Sequence, residues 1–142
     1  MLRSKGRYKG AGILFYKRVG KEVFISLGKR TIRPQKGYWS IPGGKMNDQD
    51  ENDFRSCAIR ETKEEYFSCK AIRFPINTVD REAKCSIIIP WFFEYHTYFA
   101  NVSGPDISFN PNWEFSKVEW FSIKRLPAKT HIGVRYALLF IK

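Results

Sequence analysis

The sequence lacks the features that secretion, membrane insertion or a disulfide framework would require. It contains no run of about 18 apolar residues, and the basic N-terminus never reaches the roughly seven consecutive apolar residues of a secretory signal. Cysteine is scarce: Cys57, Cys69 and Cys85 are an odd number without zinc-type pairing, which argues against a disulfide-stabilised fold. We therefore expect a protein of a reducing, cytoplasmic setting with no membrane partner.

Acidic residues are few compared with basic ones. The 14 Asp and Glu residues stand against 25 Lys and Arg, giving a formal net charge of +11. A local basic group consists of Lys29, Arg30, Arg33 and Lys36. A field of this sign favours polyanions such as nucleotides, RNA or acidic lipid head groups. A surface kept soluble by lysine and arginine explains the same numbers, so charge alone identifies no substrate.

Apolar and aromatic residues, by contrast, are plentiful. They make up 43% and 16% of the chain, which excludes a disordered or low-complexity sequence. A length of 142 residues suits one globular domain, and the sequence has no internal repeat or linker. We expect a single domain over residues 1–142.

The pattern of residues predicts strands on both sides of a loop and a helix. Residues 8–16 and 22–27 are rich in β-branched and aromatic side chains and are separated by a turn at Gly20, which indicates a hairpin. The loop that follows, 28–52, is long, and such loops in compact domains usually serve a site. Further extended segments are predicted at 70–78, at 85–100 with Pro90 as a boundary, and at about 116–121, before a C-terminal helix from about 130.

Residues 53–66 have the spacing of a helix whose N-terminus Asp53 would cap. Helix positions three or four apart share a side, so Phe54 and Ala58 lie on the same stripe as the glutamates that follow. The stripe therefore begins apolar and ends anionic.

Three carboxylates, Glu61, Glu64 and Glu65, lie within five residues of this helix. Like charges at this spacing destabilise a helix by a few tenths of a kcal/mol per pair. A hard divalent cation such as Mg²⁺ would offset the repulsion. Neutralisation by nearby basic side chains, Arg60 and Lys63 among them, would do so as well.

A glycine-rich turn, IPGG, precedes the helix and favours close approach of backbone groups to a metal or phosphate. The run YWSIPGGK, followed after a short acidic loop by AIRETKEE, resembles the Nudix box of the Nudix hydrolases, in which a glycine, a glutamate and the motif R-E-U-x-E-E-x-G-U follow one another, U being aliphatic. The order of the predicted elements is also similar to the Nudix fold. The resemblance implies an α/β (α+β) fold with a mixed β-sheet sandwiched between helices.

The same resemblance implies an activity. Nudix hydrolases use Mg²⁺ or Mn²⁺ to cleave a pyrophosphate bond in a nucleoside diphosphate linked to another moiety. A nucleoside triphosphate, a dinucleoside polyphosphate or an RNA 5′ end would suit the basic charge. The alternative is a catalytically weak or inactive Nudix domain that binds a nucleotide or RNA without cutting it. The sequence does not distinguish a monomer from a homodimer.

Site residues follow from the resemblance position by position. Arg60 would orient the glutamates, and Glu61 and Glu65 would bind the metal. Glu64 would bind a metal or help to activate water. The backbone carbonyl of Gly44 is a further candidate ligand.

Residues outside the box complete the predicted site. Glu114, in the segment before the last strand, would be a metal ligand or general base by the same resemblance. Arg30 and Arg33 precede the glycine turn and are candidates for contacts with the non-reacting phosphates, and Trp39 for stacking on a base. Structural roles are favoured for the alternating aromatic residues and isolated histidines of later segments: Phe93, Tyr95, Phe99, His96 and His131.

The spacing of the box departs from the family pattern. The interval between Gly44 and Arg60 is two residues longer than in the pattern, so the loop KMNDQDEN carries two extra residues. Counting back from Arg60, the first glutamate of the box falls on Asn52, and its neighbour Glu51 could substitute for it.

The helix itself departs from the pattern in two places. Thr62 stands where an aliphatic residue is usual, and Phe67 replaces the helix-ending glycine. A non-glycine residue disfavours the left-handed backbone by about 1 kcal/mol or more. We therefore expect a different turn after the helix.

Overall fold

The computed structural model describes residues 7–69, 71–104 and 107–141. Within these ranges seven strands form one mixed sheet between two α-helices. The strands are β1 (Tyr8–Val19), β2 (Glu22–Arg30), β3 (Trp39–Ser40), β4 (Gly43–Lys45), β5 (Cys85–Ile89), β6 (Phe93–Asn101) and β7 (Phe115–Ser122). The α-helices are α1 (Phe54–Tyr66) and α2 (Ile132–Ala137), and short 3-10 helices cover Asp48–Asp50, Ile76–Thr78 and Leu138–Phe140.

Strand β1 lies at the centre of the sheet. It pairs in parallel with β6 over its first nine residues, from the Tyr8–Phe93 pair onward. Its other edge pairs antiparallel with β4 at Gly10–Gly12 and with β2 from Tyr16 onward. The sheet order is β3-β2-β1-β6-β5, with β7 on the free edge of β2. The parallel pairing brings the starts of β1 and β6 to the same end of the sheet, beside the glycines of β4.

The core consists of two apolar layers, one on each face of the sheet. Successive side chains of a strand point to opposite faces, so Ala11, Ile13 and Phe15 of β1 pack in the layer of α1, whereas Leu14 packs in the layer of α2. The alternation on β1 thus builds both layers of the predicted sandwich.

Helix α1 begins and ends as the sequence indicates. The Asp53 carboxylate accepts a hydrogen bond from the Ser56 N–H at 3.3 Å, which confirms the predicted cap. Phe67 follows the helix with φ −129°, outside the left-handed region, so the turn does differ from a glycine-ended one. Its ring is buried and packs against Phe15 and Phe109. Aromatic packing stabilises this end of the helix.

The predicted hairpin, the two strands separated by Pro90 and the late strand are confirmed as β1–β2, β5–β6 and β7. The long loop 28–52 is partly ordered into β3 and β4, and the C-terminal helix begins at Ile132. No helix of the described ranges combines the length and apolar character that crossing a bilayer needs.

The prediction of an extended segment at 70–78 is wrong for residues 71–78, and residue 70 lies outside the described residues. This segment forms a turn and the 3-10 helix Ile76–Thr78. The Thr78 N–H and hydroxyl both donate to the Pro75 carbonyl, at 3.0 and 2.6 Å. Local hydrogen bonds of this kind compete with strand pairing. The apolar, β-branched composition of the segment gave no sign of them, so it suggested a strand.

Thr62 is fully buried on α1, and its hydroxyl has no hydrogen-bond partner among the described residues. An unsatisfied buried hydroxyl costs about 1 to 3 kcal/mol. Thr62→Val should therefore raise the free energy of unfolding, measured by urea denaturation, by about 1 kcal/mol. The matched control is Thr130→Val, which should lower it, since the buried Thr130 hydroxyl donates to the Pro127 carbonyl at 2.6 Å. Equal stability of Thr62→Val and wild type would contradict the assignment.

Candidate active site

A bidentate ion pair between Arg60 and Asp50 ties helix α1 to the loop that precedes it. Arg60 Nε donates to Asp50 Oδ1 at 2.8 Å and Nη2 to Oδ2 at 2.9 Å. Nη2 also donates to the Lys45 carbonyl at 3.0 Å, and Nη1 to Glu61 at 3.1 Å. Charge-assisted bonds with this fork geometry are strong and directional. The ion pair lowers the pKa of Asp50, whose side chain is only 2% exposed.

The local sequence presents Asp50 to Arg60. Asn47 caps the single 3-10 turn Asp48–Asp50, and its side chain accepts from the Gln49 N–H at 2.9 Å. Asp50 Oδ2 accepts from the Asn47 N–H at 3.0 Å, so both ends of the turn are satisfied. The extra residues of this loop are therefore accommodated as a capped turn.

The structure favours Asp50 over Glu51 as the substitute for the first glutamate of the box. Glu51 and Asn52 both have left-handed backbones, with φ 50° and 62°, and both are exposed. The described ion pairs of Arg60 go to Asp50, Glu61 and Glu64. Asp50 occupies the position of the box's first glutamate because the 3-10 turn directs its carboxylate toward Arg60.

Glu65 is the most deeply buried carboxyl of the cluster, with 5% of the residue exposed. Its Oε1 accepts a hydrogen bond from the Gly43 N–H at 3.1 Å. Burial, reinforced by the nearby Glu114, Glu61 and Glu64 carboxylates, nevertheless raises the pKa of Glu65 to about 9. An anionic Glu65 therefore needs a positive charge that the described side chains do not supply to it.

Glu61 lies against the glycine turn. Burial raises its pKa, an effect that Arg60 opposes and that Glu64 and Glu114 reinforce. A side chain does not fit at Gly44, because its Cβ would overlap the Glu61 carboxylate. The Gly44 carbonyl accepts a weak bond from the Cys57 thiol at 3.5 Å. The structure thus places Gly44 beside Glu61, and a metal-binding role for its carbonyl stays a prediction.

The loop before β7 brings Glu114 to the same cluster. The Asn112 N–H donates to the Glu65 carbonyl at 2.9 Å. The Asn112 side chain accepts from the Glu114 N–H at 2.9 Å and donates to its Oε2 at 3.2 Å. Asn112 thus links Glu114 to the end of α1, and the Glu114 carboxylate contributes to the raised pKa of both Glu61 and Glu65. Glu64 lies on the outer side, 55% exposed and 3.4 Å from Arg60.

The chemistry of these oxygen atoms fits a hard divalent cation. Among the residues that the structure describes, no group of three or more His, Cys, Asp or Glu side chains could hold a metal by itself. Mg²⁺ does not require one, since it keeps several waters and is commonly bound by one or two carboxylates together with substrate phosphates. The buried carboxyl of Glu65 and the half-buried carboxyl of Glu61, which Arg60 contacts at 3.1 Å, are suited to that mode.

An aromatic cavity of about 180 Å³ opens on the α2 side of the sheet. Its lining includes Tyr8, Phe93, Tyr95 and His131. The expectation of structural roles for Phe93, Tyr95 and His131 stays a prediction, and the structure adds that these three residues line the cavity. The expectation is right for the other two residues: Phe99 lies in the core, and His96 bonds to Ser86 and Glu94.

The three predicted substrate contacts have different surroundings. The Arg30 Nε donates to the Pro34 carbonyl at 3.0 Å, and the charge of Arg30 adds to burial in lowering the pKa of His131. Arg33 is exposed in the loop after β2. Trp39 packs edge-on against Phe121, with ring centroids 4.9 Å apart, outside the cavity lining. Substrate contacts by these residues stay predictions, and for Trp39 the packing gives no support.

Sequence reasoning missed the anchoring role of Asp50, and it did not show that Tyr8 and His131 line one cavity. The capped turn from Asn47 to Asp50 was a readable signal, since Asn is a preferred helix N-cap. Tyr8 and His131 carried no comparable signal, because only the strand register and the start of α2 bring them together.

Comparison with known proteins identifies a family. The family model described as NUDIX domain matches residues 6–139. A Caenorhabditis elegans protein named as a nudix hydrolase is 23% identical over 128 residues, which cover 89% of this chain and 32% of that protein. The chain thus spans about a third of the length of this relative.

Solved structures show the same fold. A MutT NUDIX hydrolase from Burkholderia pseudomallei superposes with a TM-score of 0.69 at 22% identity, covering 96% of this chain and 98% of that one. The NUDIX domain of Shewanella oneidensis NrtR, complexed with ADP ribose, gives a TM-score of 0.67 at 15% identity, covering 95% and 88%. The predicted fold is confirmed by these likenesses.

Substitution of Asp50 and of its neighbour Glu51 should have different effects on the free energy of unfolding. Asp50→Ala would leave Arg60 without its main partner, and loss of one member of a buried pair costs several kcal/mol. Because Arg60 keeps its contacts with Glu61 and Lys45, we expect the free energy of unfolding to fall by about 2 kcal/mol. Glu51→Ala should change it by less than about 0.5 kcal/mol. Urea denaturation measures both, and equal losses would contradict the assignment of Asp50.

The raised pKa of Glu65 predicts a pH dependence of stability without metal. Folded Glu65 keeps its proton to about pH 9, whereas the unfolded chain releases it near the ordinary pKa of 4.5. The folded state therefore binds the extra proton between these values. Its stabilising contribution is complete below the unfolded pKa and is lost as pH rises through the folded one.

Glu65→Gln removes this titration. In EDTA, the free energy of unfolding of wild type should fall relative to Glu65→Gln as pH rises from about 5 to 9, by up to about 1.4 kcal/mol per pH unit. Urea denaturation at several pH values gives the difference. A difference that does not vary with pH would show that Glu65 is ionised in the folded protein.

Proposed function

We propose the reaction of this chain from the premise that it belongs to the Nudix hydrolase family. The proposed activity is hydrolysis, dependent on Mg²⁺ or Mn²⁺, of a pyrophosphate bond in a nucleoside diphosphate linked to another moiety. The observation that carries the proposal is the buried carboxyl of Glu65, bonded to the Gly43 N–H and surrounded by further carboxylates. Keeping so much negative charge together is costly unless a cation is part of the functional state.

The divalent cation would be held by oxygen atoms of this cluster. Glu61 and Glu65 are the inner ligands in this proposal, and exposed Glu64 has the freedom to join them. When bound, the cation would neutralise phosphate charge and make water more acidic. Arg60 positions the cluster, since one guanidinium contacts both Asp50 and Glu61.

The reaction itself is a substitution at phosphorus. The oxygen of a water molecule forms a bond to one phosphorus of the anhydride, and the bond from that phosphorus to the bridging oxygen breaks. The leaving phosphate takes the electron pair, and the proton of the water passes to a carboxylate. Glu64 or Glu114 is the proposed proton acceptor, because buried Glu65 is assigned to the cation.

The positive charge of the chain supports a substrate with several phosphates. The net charge is +11, and Arg30 and Arg33 are the proposed contacts for the non-reacting phosphates. Guanidinium groups suit this role because they bind phosphate oxygens in pairs. The ADP ribose held by the Shewanella relative is a nucleoside diphosphate linked to another moiety, so it belongs in the substrate panel.

The second candidate function is binding of a nucleotide or RNA without turnover. The altered loop and Phe67 motivated it, because both depart from the box. Asp50 bonded to Arg60 and Phe67 packed into the core favour the enzyme instead, since each departure is compensated locally. Turnover decides between the two.

The test is hydrolysis of a panel of nucleoside triphosphates, dinucleoside polyphosphates, ADP ribose and 5′-triphosphate RNA, with Mg²⁺ or Mn²⁺ and with chelator. We expect metal-dependent release of phosphate or a mononucleotide. Glu65→Gln should lower kcat by about a hundredfold or more, because it removes an anionic ligand. The control is Glu119→Gln, an exposed glutamate of β7 paired with Lys117, which should retain full activity.

Two outcomes would contradict the proposal. One is activity of Glu65→Gln equal to that of Glu119→Gln. The other is nucleotide binding without turnover across the whole panel, which would establish the binding module.

A further inference from the structure

The turn between β5 and β6 exposes a run of apolar residues that the carboxylate chemistry does not use. Residues 88–92 have the sequence IIPWF, and we call them the apolar tip. All of them are exposed, and Trp91 has 81% of its surface accessible. Single exposed apolar residues are ordinary on a protein surface, whereas a contiguous apolar patch marks contact with a partner or a membrane. The tip is therefore a candidate contact surface.

The backbone of the tip is a tight turn in which Trp91 occupies a position suited to glycine. The Phe92 N–H donates to the Ile89 carbonyl at 3.0 Å, so Pro90 and Trp91 are the two central residues. Trp91 has φ 75°, in the left-handed region that favours glycine. A bulky residue with such a φ is an outlier. Because its ring is so exposed, packing within the fold does not account for tryptophan at this position.

The tip is held firmly to the sheet. The Tyr8 N–H donates to the Phe92 carbonyl at 2.8 Å, which joins the tip to the start of β1. Strands β5 and β6 pair without interruption up to the turn, ending with the Ile89–Phe93 pair. The apolar side chains are thus presented by an ordered turn at the end of the sheet. Contact with a partner then costs little backbone entropy.

The chain around the tip carries no uncompensated negative charge. From Lys84 to Phe93 the sequence has no acidic residue. The nearest carboxylate along the chain belongs to Glu94. Arg7 Nη2 donates to one of its oxygens at 2.9 Å, and His96 Nε2 lies 2.8 Å from the other. Repulsion from an anionic surface is therefore absent at the tip itself.

Basic residues accompany the tip on the neighbouring strand β1. Lys9 is in register with Glu94, and Arg7 precedes the strand by one residue. In the sequence, Arg3 and Lys5 lead into the same strand, and residues 1–9 contain no acidic residue. The shallow groove beside Arg7 and Lys9 is lined by three basic residues and two acidic ones. The local charge is positive, as is the net charge of +11, and both attract an anionic surface.

The small size of the tip distinguishes between kinds of partner. A stable interface between proteins uses about 20 to 30 residues on each side, and the tip is much smaller. The net charge of +11 also repels a second copy of the chain. A bilayer sets no requirement for a complementary surface, and tryptophan is enriched where head groups meet acyl chains because its ring is amphipathic. Size, composition and charge thus favour a lipid surface.

We propose that the apolar tip binds peripherally to a membrane that contains acidic lipids, with the side chains of Trp91 and Phe92 entering the interface between head groups and acyl chains. Such a contact needs no membrane span. The proposal replaces the expectation of no membrane partner, which rested on the absence of a span. Binding of this kind uses neither metal nor nucleotide, so it is independent of the proposed hydrolysis.

The test is cosedimentation of the full chain with vesicles, made either of phosphatidylcholine alone or of phosphatidylcholine mixed with phosphatidylglycerol. The main variant is Trp91→Gly, which removes the ring and suits the left-handed backbone. The second is Phe92→Ser. The matched control is Trp113→Ser, since Trp113 is 73% exposed and precedes β7 at the opposite edge of the sheet. Thermal unfolding checks each fold, and Trp91→Gly should not lower the midpoint.

We expect wild type to bind the acidic vesicles about tenfold or more tightly than the neutral ones, and less tightly as salt is added. Trp91→Gly and Phe92→Ser should each weaken binding to acidic vesicles by about tenfold, because a large apolar side chain no longer leaves water. Trp113→Ser should bind as wild type does.

The proposal would be overturned if wild type bound neither kind of vesicle or bound both equally, or if Trp91→Gly bound as tightly as Trp113→Ser. A dimer in analytical ultracentrifugation that Trp91→Gly abolishes, in place of vesicle binding, would assign the tip to a second copy and overturn the proposal as well. Failure of hydrolysis would not alter the vesicle result, and failure of vesicle binding would leave the hydrolase intact.

Discussion

The site depends on the pair of charge-assisted hydrogen bonds between Arg60 and Asp50. The ion pair joins the loop that carries the glycine turn to the helix that carries the glutamates. Through Nη1 the same guanidinium holds Glu61, and through Nη2 it holds the Lys45 carbonyl next to Gly44. The loop, strand β4 and helix α1 are thus joined by one side chain, which holds Glu61 beside the glycine turn.

The Arg60–Asp50 ion pair stabilises a cluster of carboxylates that is electrostatically unfavourable. Glu61, Glu64 and Glu65 repel one another, and Glu114 adds to the repulsion that Glu61 and Glu65 experience. In the metal-free protein the buried member, Glu65, takes a proton because its pKa is about 9. A cation bound there would replace that proton, and the same charge would meet the phosphates of a substrate.

Helix α1, its cap and the hairpin could be predicted from the sequence because capping, periodicity and turn residues are local. The Nudix resemblance placed Arg60 and the three glutamates for the same reason: they lie on one helix. Asp50 was not placed, because counting along a lengthened loop points to Asn52. The signal for it was Asn47, whose capped turn decides which carboxylate faces inward. The sequence did not predict the cavity either, because the cavity depends on the register of β1 with β6 and on where α2 begins.

The most direct test of the account is the number of protons released when a divalent cation binds. Calorimetry of Mn²⁺ binding near pH 7.5, in buffers of different ionisation enthalpy, measures it for wild type and Glu65→Gln. We expect wild type to release about one proton per ion and the variant far less, because the ion displaces the Glu65 proton. Binding to wild type without proton release would contradict the assignment of Glu65 as the buried ligand.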